Sequence, residues 1–575
     1  MRKIFSRYLL VLLAAGLLLG FPHAALGQDV DPPGRVARLN SAQGAVSFQA
    51  SGEKDWVDAN LNRPLSTGDN LWVDKNSSGE LHIGSTAIRL SNETGISILN
   101  LDDRTAQIQL VQGTIEVHLR RLESGNAWEI DTQNVALTLT RAGEYLIQAD
   151  PDGSSTMIIV REGEGQVTGA GESWDLTEGQ QYTFTGTDQL TEDAQQAPAF
   201  DDLENWSQER DQRENNSQSA KYVSRDVDGY YDLDDAGTWQ DDPDIGPIWI
   251  PTAVAGGWTP YHFGHWVWIG PWGWTWVGDE PWGFAPFHYG RWAFVGGYWG
   301  WVPGPMVVRP FYAPALVGFV GGGFGLSIGL GSGFSGVAWF PLGPRDVFIP
   351  GYRASPRYVQ YVNITNSRAV NVTQVTSAYN NYRANGESVS RSYTYADNPR
   401  AVTAIPKDAF VNARPAAAAA VSFTSKDLST AKVEDTHPLA PTRASYVASN
   451  ARVASNKPPV SFSDRKFVAK MNPPAPANHQ TAPHPTNAEV ARPQTNTETH
   501  QAAPDRAPAQ PEYQQHPAAK FNPPTNARDS MYDVHPPLNK QPPPQHQQEQ
   551  RPAPAPRLAP APPPAPPPHQ EPKPK

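Results

Sequence analysis

From residue 36 to residue 187 the chain alternates apolar and polar side chains with period two. The stretch "AQIQLVQGTIEVHL" sets Ile108 and Leu110, then Ile115, Val117 and Leu119, on one face, with Gly113 between the two runs. "VALTLT" repeats the pattern with Val135, Leu137 and Leu139, and "EYLIQA" repeats it with Leu146 offset from Tyr145 and Ile147. Alternation of this kind describes strands with one face in a core and the other toward water. Turn-forming stretches such as "STGDN", "DKNSSGE", "ESGN" and "DPDGSS" punctuate it, and no helical periodicity intervenes. The pattern predicts an antiparallel all-β domain over 36–187, either a sandwich or a solenoid-like pair of sheets.

The pattern then changes. Residues 198–230 are expected as an acidic linker, with Phe200, Leu203 and Trp206 spaced three apart behind Asp201 and Asp202, which can cap a short helix. The acids Asp232, Asp234, Asp235, Asp241, Asp242 and Asp244 lack the glycine turn and closing glutamate of an EF-hand calcium loop, so a solvated acidic loop is expected.

Over 231–356 the unit of pattern is longer. "GWTPYHFGHWVWIGPWGW" falls on "GFAPFHYGRWAFVGGYWG" when shifted along the chain, matching Pro260 with Pro286, His262 with His288, Gly264 with Gly290 and Trp266 with Trp292. An earlier copy starts at Gly237 and Trp239 and closes at Trp249–Pro251, and a later one carries Trp339 and Pro341. Self-similarity at fixed spacing marks a repeated supersecondary unit, here a β-hairpin or small meander, with glycines for tight turns and close backbone approach. Residues 313–340 carry no charge, and Gly321, Gly325, Gly329 and Gly333 fall four apart, the ladder of a membrane-associating helix. Nine glycines in these 28 residues would burden that helix by roughly 1 kcal/mol each, so a fourth β-unit with a glycine-rich insertion is expected, and a membrane insert is the lesser alternative.

Composition explains why tryptophan does the work. The chain has no cysteine among 575 residues, and 13 of its 18 tryptophans fall in residues 230–356. With no disulfide to close a small exported fold, large rings are the available glue, since each buries a large area. Residues 357–415 read as a partly ordered extension. Residues 416–575 mix Pro, Ala, Gln, Asn and Thr and are expected to be disordered, the last 25 being about half proline.

The first 27 residues carry a basic start, an apolar run and small residues Ala25 and Gly27 before Gln28. That is the pattern of a cleaved signal peptide, so the protein is expected to be exported, periplasmic or extracellular. Without cysteine it is not expected to be a lipoprotein. A net charge of −12 argues against nucleic acid or anionic lipid as partner, and membrane association is not expected once the signal is removed.

"LSTGDNLWVDKNSSGELHIGSTAIRLS", "LVQGTIEVHL" and "LTLTRAGEYLIQA" together resemble a FecR-type domain over residues 60–165. That resemblance implies an antiparallel β-domain and protein–protein contact in the envelope. The best-known members relay a signal to a sigma factor across a membrane. A cleavable signal in place of a single span means that the relay role is not expected here. The whole order, with "YGRW", "GWVPG", "WFPLGPRDVFIPGYRASPRYVQYVNITN" and "NPRAVTAIPKDAFVNARP", resembles uncharacterised bacterial exported proteins in which a FecR-like domain precedes a Trp/Gly-rich repeat region and a Pro-rich tail.

No catalytic, cofactor or metal site is expected. His262 and His265 lie three apart, but the second copy replaces His265 with Arg291, so the unit does not preserve a ligand pair. No zinc-protease motif or Walker-type phosphate loop is present. The expected function is a non-enzymatic binding or scaffold module. The alternative is carbohydrate or cell-wall binding through tryptophans left bare. The candidate binding aromatics are Trp258, Tyr261, Trp266, Trp268, Trp274, Trp276, Trp292, Trp299 and Trp301, with envelope proteins or cell-wall polysaccharide as partners.

Overall fold

A computed structural model of the chain describes residues 31–320, 336–385, 393–424, 428, 433–434, 439–448 and 451–474. The protein is mainly β, in antiparallel sheets apart from the parallel pairing of Ala127–Asp131 with residues 105–109. Residues 1–30, where a signal peptide is expected, the glycine ladder at 321–335 and residues 475–575 lie outside the described residues.

The long strand Thr105–Leu119 organises the first domain. Residues before Gly113 pair with Thr94–Leu101 and Ala127–Asp131 in a back sheet, while Gly113 and those after it pair with Thr86–Leu90 and Gly143–Ala149 in a front sheet. Gly113 turns the chain between the layers with φ +90°, and a Cβ there would lie 2.6 Å from the Thr94 backbone. Ile108, Leu110, Ile115, Val117 and Leu119 all enter one core shared by both sheets, together with Val135, Leu137, Leu139, Tyr145 and Ile147. The strands run on past 187, to an edge strand at Thr191–Gln196.

The offset Leu146 finds its reason in the segment expected as a linker. That segment folds as α1 (Asp202–Asn215). Asp201 caps it through Glu204 N–H at 2.8 Å, and Glu204 returns the bond to Asp201 N–H at 3.0 Å. Leu203 packs on Leu146 and Ile159, with Trp206 beside them, so α1 covers the outer face of the front sheet. The acidic loop is exposed at Asp235, Asp241 and Asp244, as expected, but is tied down at its start. Asp232 pairs with the buried Arg38 at 2.6 Å, Asp234 accepts from Ser219 N–H at 2.8 Å, and Asp235 pairs with Arg213 at 2.6 Å.

Four hairpins follow: Gly237–Asp242 with Gly246–Pro251, Gly264–Ile269 with Gly273–Gly278, Arg291–Val295 with Tyr298–Val302, and Val317–Val320 with Gly336–Pro341. The first and third join through Trp249 opposite Trp301. The fourth is extended on one side by Thr403–Pro406 and on the other by Val433–Glu434. Helices α2 (Pro356–Ile364) and α3 (Val372–Asn385) pack together through Val359 and Val375.

The expectation of disorder from residue 416 fails for the described part of that region. Ala416–Ala419 is helical, Arg443–Val447 forms a further turn, and residues 451–474 lie against the first domain. Scattered apolar residues, Ala416, Leu428, Ala454 and Phe462, are buried within this Pro/Ala-rich background. Composition averages them away.

Candidate functional site

Each hairpin of the tryptophan-rich domain faces aromatic rings across its two strands. Trp239 stands opposite Trp249, Trp266 opposite Trp276, Trp292 opposite Trp301, and Phe319 opposite Trp339. The glycine two positions before the first tryptophan makes room for the second. A Cβ on Gly237 would meet the Trp249 ring at 2.4 Å, one on Gly264 the Trp276 ring at 2.6 Å, and one on Gly290 the Trp301 ring at 2.4 Å. This is the physical content of the repeated "G-x-W".

The rings then pack on one another. Trp266 lies 5.5 Å from Trp276 and 5.4 Å from Trp339, both edge-on, and Trp258 lies 5.4 Å from Trp292. Edge-to-face contacts at these separations are the favourable ones for aromatic quadrupoles. Of the candidate binding aromatics, Trp258, Tyr261, Trp266, Trp274, Trp276, Trp292, Trp299 and Trp301 are buried, and Trp268 is half-buried. The exposed rings nearby are Phe294 and Tyr298, at the tip of the third hairpin.

Several of the indoles of this domain have a backbone acceptor. Trp249 donates to Leu233 O at 2.9 Å, Trp292 to Pro286 O at 3.0 Å, Trp301 to Tyr289 O at 2.7 Å and Trp339 to Tyr261 O at 2.9 Å. On the second hairpin Trp274 donates to Leu439 O at 2.9 Å, but the facing pair differs. The N–H groups of Trp266 and Trp276 are buried without an acceptor, and leaving such a donor unsatisfied costs about 1–3 kcal/mol.

Trp266 also lines an open cavity of about 90 Å³. Trp268, Trp272 and Trp274 form its wall on the second hairpin, and Phe319, Phe348 and Tyr352 close it. Tyr352 is the one titratable side chain of that lining; burial holds its phenol well above its ordinary pKa. A cavity of this kind accepts apolar surface. It offers no group that exchanges protons near neutral pH.

The repeat histidines do not converge on it. His262 Nδ1 meets Thr403 Oγ1 at 3.1 Å and His288 Nδ1 meets Ala313 O at 2.8 Å. Burial pushes His265 down to about 4 and His288 down to about 3, so both are neutral at physiological pH. Arg291, which stands where the earlier copy has His265, is buried and bonds Gly290 O at 2.9 Å and Asn363 Oδ1 at 3.1 Å. Its role is to pin the third hairpin to α2.

Charged side chains gather elsewhere, between the front sheet and α1. Glu80, His82 and Glu214, and separately His118, Glu144 and Asp211, lie close enough to share a cation. Arginines already hold the key carboxylates. Glu80 binds Arg89 at 2.9 Å and Arg210 at 2.7 Å, while Asp211 binds Arg89 at 2.7 Å and Arg120 at 3.2 Å. Burial opposes the charge on Glu80, but hydrogen bonds from His82 and Arg210 outweigh it and hold its carboxyl well below the usual range. Burial pulls His82 down, yet Glu214 and Glu80 hold it above its ordinary value. The cluster is an ion-pair network. Its sequence signal was present: polar residues recur at outward positions of neighbouring strands, Glu80 and His82, Arg89, and Glu116 and His118.

A second buried acid pair lies on the back sheet. Glu129 and Asp131 share a face of Ala127–Asp131, and Gln107 Nε2 donates to both, at 3.2 and 2.8 Å. Burial, with the Glu129 charge beside it, pushes the Asp131 carboxyl up to about 9. The sign follows from proton uptake: an acid raised on folding lends stability that is present below its unfolded value, near 4, and is lost as pH rises toward 9. Asp131→Asn is expected to flatten that decline and to stabilise the protein at pH 8 by about 1 kcal/mol or more. Thermal unfolding midpoints across pH 5–9 check it; an unchanged slope contradicts it.

Comparison with protein families gives a match that falls on the four hairpins. Residues 230–346 match a family of unknown function, DUF6600. The matched region coincides with the tryptophan-rich domain and leaves the first domain and the C-terminal segments outside it. No curated protein sequence matches the chain. Two crystal structures of an anti-sigma-factor candidate from Parabacteroides distasonis are similar over 22% of this chain and 60% of theirs, at 13% and 14% identity and a TM-score of 0.20. The chain therefore spans less than two thirds of the solved structures it is similar to.

Proposed function

We propose that the protein is an exported, non-catalytic binding module of the bacterial envelope, and that the cavity of its DUF6600 region takes an apolar ligand carrying one hydrogen-bond acceptor. The supporting observation is the unsatisfied N–H groups of Trp266 and Trp272, two residues lining a cavity whose other walls are aromatic and aliphatic. The equivalent ring in the next copy, Trp292, has its acceptor within the chain. An alcohol, ester or amide oxygen on an alkyl body supplies what Trp266 lacks. A sugar fits less well, because stacking on tryptophan is accompanied by several hydroxyl contacts and this lining has few polar groups to meet them.

The resemblance of residues 60–165 to FecR-type domains supports protein contact as the role of the first domain, and the N-terminal residue pattern supports export. Titration of the full chain with 1-octanol, followed by tryptophan fluorescence, tests the ligand class. Saturable binding is expected, with Trp266→Phe, compared well below its own and somewhat lowered thermal midpoint, weakening it roughly three- to tenfold through loss of one hydrogen bond. Saturable binding of N-acetylglucosamine oligomers with no response to octanol would instead establish the carbohydrate reading.

A further inference from the structure

The back sheet of the first domain has an edge strand, Val57–Asp58, that pairs within the sheet on one side only, with Val46–Gln49. Its other side is taken by the C-terminal segment. Val453 stands opposite Val57 in antiparallel register; Asp58 N–H donates to Arg452 O at 3.0 Å and Ala454 N–H to Trp56 O at 2.9 Å. The segment then crosses the outer face of the sheet. Phe462 packs edge-on against Trp56 at 5.2 Å, in a cluster with Trp72 and Val111. The floor beneath it is glycine: a Cβ on Gly95 would lie 2.4 Å from the Phe462 ring. Further on, Val468 N–H donates to Thr132 O at 2.8 Å. Lys470 and Met471 N–H both donate to Glu129 Oε1, at 3.0 and 2.9 Å, and Gln107 Nε2 reaches Met471 O at 2.9 Å.

Such an arrangement combines strand addition at a sheet edge with an aromatic anchor and a polar clamp. Every one of these contacts is between the segment and the first domain, so the same segment from another copy satisfies them identically. Ala448, which stands shortly before the segment, is not relaxed. Ala448 holds φ +77° and ψ 147°, a region open in practice to glycine. Short strained hinges favour exchange of the element they carry.

We propose that residues 451–471 are an exchangeable arm, and that the back-sheet face of one copy accepts the arm of a second copy of this chain. Exchange couples copies without any new interface chemistry. The proposal does not depend on the aromatic cavity, and its test does not read that cavity.

The absence of cysteine makes the experiment clean. Val57 and Val453 form a directly opposed pair of the narrow, non-hydrogen-bonded kind, where Cβ separations suit a disulfide. Full-length Val57→Cys and Val453→Cys chains are mixed, warmed below the unfolding midpoint and oxidised, alongside the double variant. A disulfide-linked dimer containing one chain of each single variant is expected, rising with protein concentration. Recovery of the Val57→Cys chain as monomer from the mixture, while the double variant closes its disulfide within one chain, overturns the proposal. Ala448→Gly supplies a second reading. Relieving the hinge is expected to reduce the mixed dimer several-fold, and an undiminished yield counts against exchange driven by that strain.

Discussion

Replacing Trp301 with alanine is expected to lower the unfolding free energy of the tryptophan-rich domain by about 4 kcal/mol, in the range for large aromatic truncations in a core. The ring is fully buried, stands opposite Trp292, and lies edge-on to Trp239 at 6.3 Å. Its N–H satisfies the Tyr289 carbonyl, and the Gly290 backbone lies against its face. Truncation therefore empties an indole-sized volume between two hairpins and also strands a buried carbonyl. Trp268, half-buried at the cavity rim, is the control. Trp268→Ala is expected to cost about 1 kcal/mol, because much of its surface already faces water. Urea midpoints followed by fluorescence separate the two. Equal small losses at both positions would mean that the rings are surface, not core.

The second large effect is expected at Arg89. Its guanidinium is fully buried and touches Glu80 at 2.9 Å, Glu116 at 3.3 Å and Asp211 at 2.7 Å. Removing one partner of a buried network leaves uncompensated charge, which costs about 3–5 kcal/mol. Arg89→Met keeps the volume and removes the charge. The pH dependence gives a sharper reading. Asp211 is driven up by burial but more strongly down by His118 and Arg89, to about 2. A depressed acid stabilises the fold above its unfolded value, near 4, and that contribution disappears as pH falls through its folded value. Glu116 works the other way: burial raises it to about 7 against the pull of Arg89, so its contribution is lost as pH rises from the ordinary glutamate range. Without Arg89 the first effect weakens and the second grows. The acid-unfolding midpoint of Arg89→Met, followed by circular dichroism, is expected to move to higher pH, and its stability at neutral pH to fall. Wild-type midpoints in acid and in urea would remove the network from the account.

Period-two alternation made the first domain legible because its strands bury one face in a shared core, and Gly113 fell where the chain changes sheet. The repeat was legible for a related reason. A tryptophan needs a glycine diagonally across the strand pair, so spacing and composition carried the same information. What stayed hidden depends on contacts between distant segments. Nothing local marks Phe462 as an anchor, since its partners Trp56, Trp72 and Val111 lie in the first domain. The length of α1 was hidden because its inner face is charged: Asp211 and Glu214 meet Arg89, Arg120 and His82 rather than apolar side chains. The cavity was partly visible, through Trp266, Trp268 and Trp274. Phe348 and Tyr352 join it only by folding back from beyond the repeat.

Exchange of the indole N–H protons, read by NMR on chains with labelled tryptophan, tests the central claim most directly. If the rings of the repeat are its core, the N–H protons of Trp249, Trp301 and Trp339 exchange as slowly as the strand amides around them. Exchange of all three at the rate of a free indole would contradict it.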